Sequence, residues 1–540
     1  MVQRLRGLIS TIVVLLACSS AQAIPVLGTN FTGITLDTTI ALGTGAAPPD
    51  TMGAVGPAHI VELVNGAYAA YNKTGGTVTA PITDKAFWTN AGLSLGSVGL
   101  TDPRVVYDHA SGRWFAAQIT TSNTHNEVLV ARSNSSDPTA GWKAARFTGN
   151  TGFADFPTLS LDADGVYIGT NNFTSASGPF KSVSLFSMPK SDLLASTPSL
   201  ANMTRFDDLP ANDRGFTLQG ASNLGPSTGH GAIVAVDNDF FGQIDRFNVL
   251  GPGGAGATLS ATTAVNVAPT SFPPNAKQPD GTTQIDTTDD RFGANVVQVG
   301  DLLFMVHTIG MTGRAALRWT ILSESTNAVI QEDTIADPNF DFYFGAIAAN
   351  SFGDVVVAYN RSGTEAGDFI GSFASVGEFT GGVLTFGAPM LLKAGLANYH
   401  LFGGSNERWG DYGAVVLDPS DPFSFWAFQE FAATPVSGQS RWATQITQII
   451  VTPIPEPGTI LLVSTGVAGL AGYRRWRRSR DVPRHTCREA GFLDLRCYRQ
   501  RSRTGNTGKW FSGYSCPNST GPLCQRSRRG KGPAATRIKP

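Results

Sequence analysis

The sequence predicts an all-β protein, a β-propeller of seven blades, preceded by a signal peptide and followed by a single membrane-anchor helix. Three observations carry this. The stretch from Ile24 to Tyr473 is rich in Gly, Ser, Thr, Asn and aromatic residues and has few long apolar runs of 3.6-residue period, the composition of short strands joined by many turns. Within it a unit recurs: a charged or aromatic residue near Gly or Pro, an apolar alternating strand, a turn at Gly or Asp, and an aromatic-rich second strand. No cysteine falls in this body, since Cys18 lies in the leader and Cys487, Cys497, Cys516 and Cys524 lie near the end. An exported domain without disulfides must be held by its own core, which a chain of this size can bury.

Residues 1–23 read as a secretory leader, with Arg4 and Arg6 at its start, an apolar core from Leu8 to Ala17, and a small-residue cleavage site at Ala21-Gln22-Ala23. The competing reading is a lipoprotein leader, because Leu15-Leu16-Ala17 precedes Cys18. The propeller domain then occupies 24–452.

Its units start at Asp50, Asp102, Asp155, Gly220, Arg291, Phe342 and Arg408, separated by 52, 53, 65, 71, 51 and 66 residues. A repeat of roughly 40–50 residues supplying four strands is the mark of a propeller blade, and the excess length fits long loops. One hairpin cannot bury both faces, but sheets stacked radially bury one another. Arg441–Val451 reads as a last strand sharing a blade with the chain near Asn30 to Leu42, which closes the ring. The polar, Pro-rich stretch from Val267 to Asp290 reads as an irregular insertion. The phrases PPDTMGAVGP, YDHASGRWFAAQ and RWGDYGAVVLDP resemble a family of bacterial secreted proteins with propeller bodies, over Pro48 to Phe431.

Charge excludes one class of partner. The formal net charge is −1, yet the segment from Arg474 onward holds 18 Lys+Arg and 3 Asp+Glu, leaving 20 basic and 38 acidic residues between Ile24 and Tyr473. An acidic body repels phosphate backbones, so no nucleic-acid partner is expected.

After the body comes PIPEPGTILLVSTGVAGLAGYRRWRRSR. Pro455, Glu456 and Pro457 stop any helix from running back upstream; an apolar run of about 458–473 follows, and Arg474, Arg475, Arg477 and Arg478 hold its far end in the cytoplasm. The order resembles the PEP-CTERM sorting signal of exported bacterial proteins. That resemblance over 453–480 implies an exosortase-type processing enzyme as partner, a membrane-anchored precursor, and a destination at the envelope, cell surface or extracellular matrix, where polysaccharide is a partner. Residues 481–540 form a basic tail, read as cytoplasmic and disordered or as a readthrough or frameshift product.

The chemistry is less legible. His59, His109, His125, His230, His307 and His400 show no helical ligand spacing, which disfavours a zinc enzyme. Ser160 to Gly165 reads as a turn in which Asp162 bonds backbone amides, although it resembles the Asp-box of sialidases. Acids recur near the unit starts, at Asp50, Asp102, Asp155, Asp290, Asp341 and Asp411. In the register drawn they gather with Arg104, Arg291 and Arg408 at one mouth of the central channel. Carboxylates that close repel, so they require interleaved arginines or a bridging Ca²⁺. Three converging arginines also resemble the carboxylate clamp of sialidases. Trp88, Trp114, Trp142, Trp319, Trp409, Trp426 and Trp442 divide between blade packing and a sugar-stacking platform. Two functions stay open: a non-enzymatic binding or structural module, and a secreted glycan-acting hydrolase of sialidase-like type with no identifiable catalytic pair.

Overall fold

The computed structural model describes residues 25–237 and 239–451. The leader, the sorting signal from Pro453 and the basic tail lie outside them.

The fold is all-β and propeller-like. Successive antiparallel sheets follow one another along the chain, the first of them built from Met52–Val55, His59–Val64, Ala67–Asn72 and Thr77–Ile82 in spatial order. Within each antiparallel run of strands the one that comes first along the chain after Pro49 sits at an edge of that run, and two of the runs are joined through these edges into a nine-stranded sheet. These edge strands are Met52–Val55, Leu100–Asp108, Phe153–Asp155 with Ser160–Leu161, Phe216–Asn223, Val296–Val299, Phe340–Ala349 and Ala414–Leu417. They line the centre, and two of them pair in parallel, with Ala221 opposite Val296. The expected start at Gly220 falls inside its strand, which begins at Phe216.

The hairpins form where the sequence places a short polar residue that can bond the turn's own amides. Asp162 Oδ1 accepts from the amides of Asp164 and Gly165 at 2.7 Å each, and Asp237, Asn350 and Asp418 accept from amides two or more residues ahead in the same way. Between sheets the apolar side chains interlock. Val106, Phe115 and Val130 of one sheet share a cluster with Leu161, Val166 and Phe186 of the next. Each such side chain contributes about 1.5–3 kcal/mol on burial. The tryptophans Trp88, Trp114, Trp142, Trp319, Trp409, Trp426 and Trp442 are all buried, so none offers an exposed platform for a sugar.

Closure comes from both ends of the described chain. Pro25–Thr35 pairs antiparallel with Gln439–Val451, with Pro25 opposite Val451 and Phe31 opposite Ile446. Residues Leu36–Ala41, expected to prolong this strand, form a short helix instead, because Thr35 and Thr38 make a reciprocal capping box. The insertion is likewise more ordered than expected. Ala276–Lys277 and Gln284–Asp286 form a small sheet with Asn406–Arg408. It is pinned where Gln278 and Tyr399 exchange two hydrogen bonds, of 3.1 and 2.7 Å.

Candidate functional site: a charged mouth of the central channel

In or shortly before the edge strands the backbone repeats an uncommon conformation. Asp50, Asp102, Phe156, Thr217, Thr288 and Phe344 all have φ between 48° and 61°. Aspartate enters this left-handed region readily, but Phe and Thr do so only under constraint. For four of them the constraint is a latch between sheets, whereas the Thr288 amide donates to Asp286 Oδ1 within its own loop. The Asp102 amide donates to Asn65 Oδ1, that of Phe156 to Asp102 Oδ2, that of Thr217 to Asn171 Oδ1, and that of Phe344 to Thr308 Oγ1. Each acceptor lies in the preceding sheet or its turn. Where the last sheet meets the first, Thr51 donates its amide and its hydroxyl to Glu430 Oε1, at 3.3 and 2.9 Å.

The latches bring Asp50, Asp102, Arg104, Asp155, Arg291, Arg408 and Asp411 into one electrostatic group. Burial pushes the carboxyl pKa of Asp50 well up, and the neighbouring charges of Asp411 and Asp102 push it further. Asp102 is raised by burial and by Asp411. Burial, Asp102 and Asp411 push Asp155 up to about 7, against the opposing pull of Arg291. Asp411 is the acid common to all three.

The arginines answer these charges individually. Arg408 bonds Asp411 through Nη2 and reaches Asp286 Oδ2 at 3.4 Å. Arg291 grips Asp289 with two bonds of 2.6 Å, one from Nε and one from Nη2, so its partner is Asp289 rather than the adjacent Asp290. Arg104 is fully buried and makes no ion pair with Asp102. Its Nε donates to the Pro157 carbonyl and its Nη1 to that of Gly293, both at 2.8 Å, and the guanidinium stacks on Tyr412.

Two expected members stand apart. Asp290 is pushed up to about 7 by burial and by Asp289, with Arg291 pulling the other way. Its own carbonyl takes the His307 ring at 2.5 Å. Asp341 serves the neighbouring sheet, where Arg314 holds it at 2.7 Å and the amides of Ala315 and Lys277 donate to it. Sequence reasoning missed Glu430, Asn65, Asp286, Asp289 and Tyr412. For Glu430 one signal existed: an acid inside the otherwise apolar strand SFWAFQEF is a buried charge in need of a partner. Among the described residues no group of three or more His, Cys, Asp or Glu side chains is arranged to hold a metal ion.

Little room remains beside Arg291 and Asp411. The space bounded by Asp289, Arg291, His307, Phe344, Asp411 and Tyr412 amounts to about 10 Å³, less than a sugar ring requires. Thr288 and Asp289, which line it, belong to the insertion. Among the described residues no helix is long and apolar enough to cross a membrane, and the expected span at about 458–473 lies outside them.

Residues 453–478 match the PEP-CTERM protein-sorting motif, so the chain carries a signal for export and envelope-associated sorting. No curated protein matches the chain. Three solved structures share its outline at low identity. A phage phi92 endosialidase is 8% identical over 76% of this chain and 68% of its own, with a TM-score of 0.36. The α-L-arabinofuranosidase Arb93A of Fusarium graminearum is 9% identical over 74% and 93%, at 0.34. A Trypanosoma rangeli sialidase bound to the inhibitor DANA is 12% identical over 72% of this chain, which spans only 59% of that enzyme, at 0.32. What this chain itself carries by family is the sorting motif, over residues 453–478.

Proposed function

We propose that the chain is an exported, envelope-sorted seven-bladed β-propeller acting as a non-enzymatic binding or structural module. The reading assigns a signal peptide to 1–23, the propeller to 24–452, and a membrane-anchored precursor to the apolar run at about 458–473. An exosortase-type enzyme then processes it at Pro455, Glu456 and Pro457, and extracellular polysaccharide is the surrounding partner. The observation that carries the non-enzymatic part is the pairing of the arginines. Arg104 is buried beneath Tyr412, Arg291 is gripped by Asp289, and Arg408 is held by Asp411. None of the three is left to clamp a substrate carboxylate, and the space beside Arg291 is about 10 Å³.

The rival, a glycan-acting hydrolase, has one observation in its favour. Asp155 carries a carboxyl pKa of about 7 beside arginine, the kind of perturbed group that general acids use. Fluorogenic sialosides and α-L-arabinofuranosides decide between them. The protein and its Asp155→Asn variant should both release no more fluorophore than buffer; turnover that the variant loses would establish the hydrolase. Sorting is tested by mass spectrometry of the native surface protein, whose C-terminus should fall near Pro455–Pro457. A tail intact beyond Asp481 would overturn the processing.

A further inference from the structure

The edge strands have a second set of ends. Beyond Val55, Asn223, Val299, Ala349 and Leu417, at the opposite end of the channel from the charged mouth, lies a cavity of about 400 Å³. Its walls include Val106, Leu224, Val297, Val415 and Leu417, and no Lys, Arg, Asp or Glu lines it. His109 is the one residue there of basic type, and burial pushes its pKa down, toward the neutral form.

Two buried polar atoms in this wall have no partner, Ser222 Oγ and Asn295 Oδ1. Ser222 is 6% exposed. The parallel register sets Ser222 opposite Val297, so Asn295, two residues earlier, shares that strand's face with the residue facing Ser222. An amide oxygen only accepts, and the group it lacks is therefore an O–H or N–H donor.

We propose that this chamber binds a compact neutral molecule with an apolar body and a single hydroxyl, an alcohol or phenol, whose O–H donates to Asn295 Oδ1 beside Ser222. The volume falls in the range of small-molecule sites. A carboxylate or ammonium would be buried without a counter-ion, which is unfavourable, and Asn223, Gln298 and Asn350 in the same lining already hold internal partners, so a molecule with many hydroxyls finds few free acceptors. The proposal concerns the other end of the channel, so it survives or fails independently of the role assigned to the charged mouth.

The test titrates 2-naphthol into the purified full-length protein, following its fluorescence, with naphthalene and 2-naphthoate as comparisons. One saturable site for 2-naphthol is expected, with 2-naphthoate at least tenfold weaker. Ser222→Ala and Asn295→Ala should each weaken 2-naphthol about three- to tenfold while leaving naphthalene unchanged, since only the hydroxyl contact is lost. Val415→Trp fills the chamber and should abolish binding of both; if it fails to fold, Ala348→Leu serves the same purpose with a smaller side chain. Non-saturable uptake, equal affinity for 2-naphthoate, or undiminished binding by a folded filling variant would each overturn the assignment.

Discussion

Arg104 and Tyr412 are stacked at the centre of the molecule, the guanidinium carbon 3.4 Å from the centroid of the phenol ring, while the Tyr412 hydroxyl donates to the Pro103 carbonyl at 2.9 Å. The pair joins the Leu100–Asp108 strand to the loop before Ala414–Leu417. Arg104 therefore acts as a buried positive post among Asp50, Asp102 and Asp411, whose charges offset the depression of its pKa by burial.

A planar, forked cation is required there, because it donates in two directions in its own plane and stacks with its face. Arg104→Lys keeps the charge but cannot make both carbonyl bonds or the stack. It should lower stability by about 2–4 kcal/mol, the range for breaking a buried hydrogen-bond network. Urea unfolding followed by tryptophan fluorescence measures this, and a loss below about 0.5 kcal/mol, the range of an ordinary surface change, would refute the role.

Glu430 imposes a pH dependence of definite sign. It is fully enclosed, its Oε2 has no partner, and burial pushes its carboxyl up to about 8. The unfolded chain releases this proton near the ordinary glutamate value of about 4.3, whereas the folded protein retains it until about pH 8. Between those values the folded state binds more protons, so this group's contribution to stability falls as pH rises. Glu430→Gln keeps an oxygen for Thr51 and removes the titration. The variant should gain stability relative to the parent as pH rises from 5 to 8, by about 3–4 kcal/mol at the upper end. Parallel pH profiles for the two proteins would show that Glu430 is charged when folded.

Calcium should have no effect on stability. Arg408 and Arg291 already hold Asp411 and Asp289, Asn65 donates to Asp50 at 2.7 Å, and Thr101 donates to Asp102 at 2.8 Å. A cation bound only by the folded protein would add about 2.7 kcal/mol at a hundredfold excess over its dissociation constant. Thermal unfolding of chelator-treated protein with and without millimolar calcium should give the same midpoint; a clear rise would restore the bridging Ca²⁺.

The sequence by itself determined the strands, the turns and the address. Period-two apolar segments beginning near Asp50, Asp102 and Asp155 need no distant partner to be recognised, since alternation and a short polar turn residue are local properties. The order Pro455-Glu456-Pro457, apolar run, arginine cluster is local as well. Only the tertiary structure decided which charges meet. Asp290 and Asp289 are adjacent in the chain, yet Asp289 takes Arg291, and Asp341, although it recurs at a unit start like the others, turns to Arg314. Choosing between such neighbours depends on the direction of a side chain across a ring, and one residue of register reverses it. Glu430 lies 379 residues from the Thr51 that it bonds. That contact exists because the strand Pro25–Thr35 returns to pair with Gln439–Val451 and brings the last sheet against the first. The insertion before Phe292 read as irregular because its two short strands find their third, Asn406–Arg408, far along the chain, and hydrogen bonds to a distant strand leave no periodicity in the local sequence.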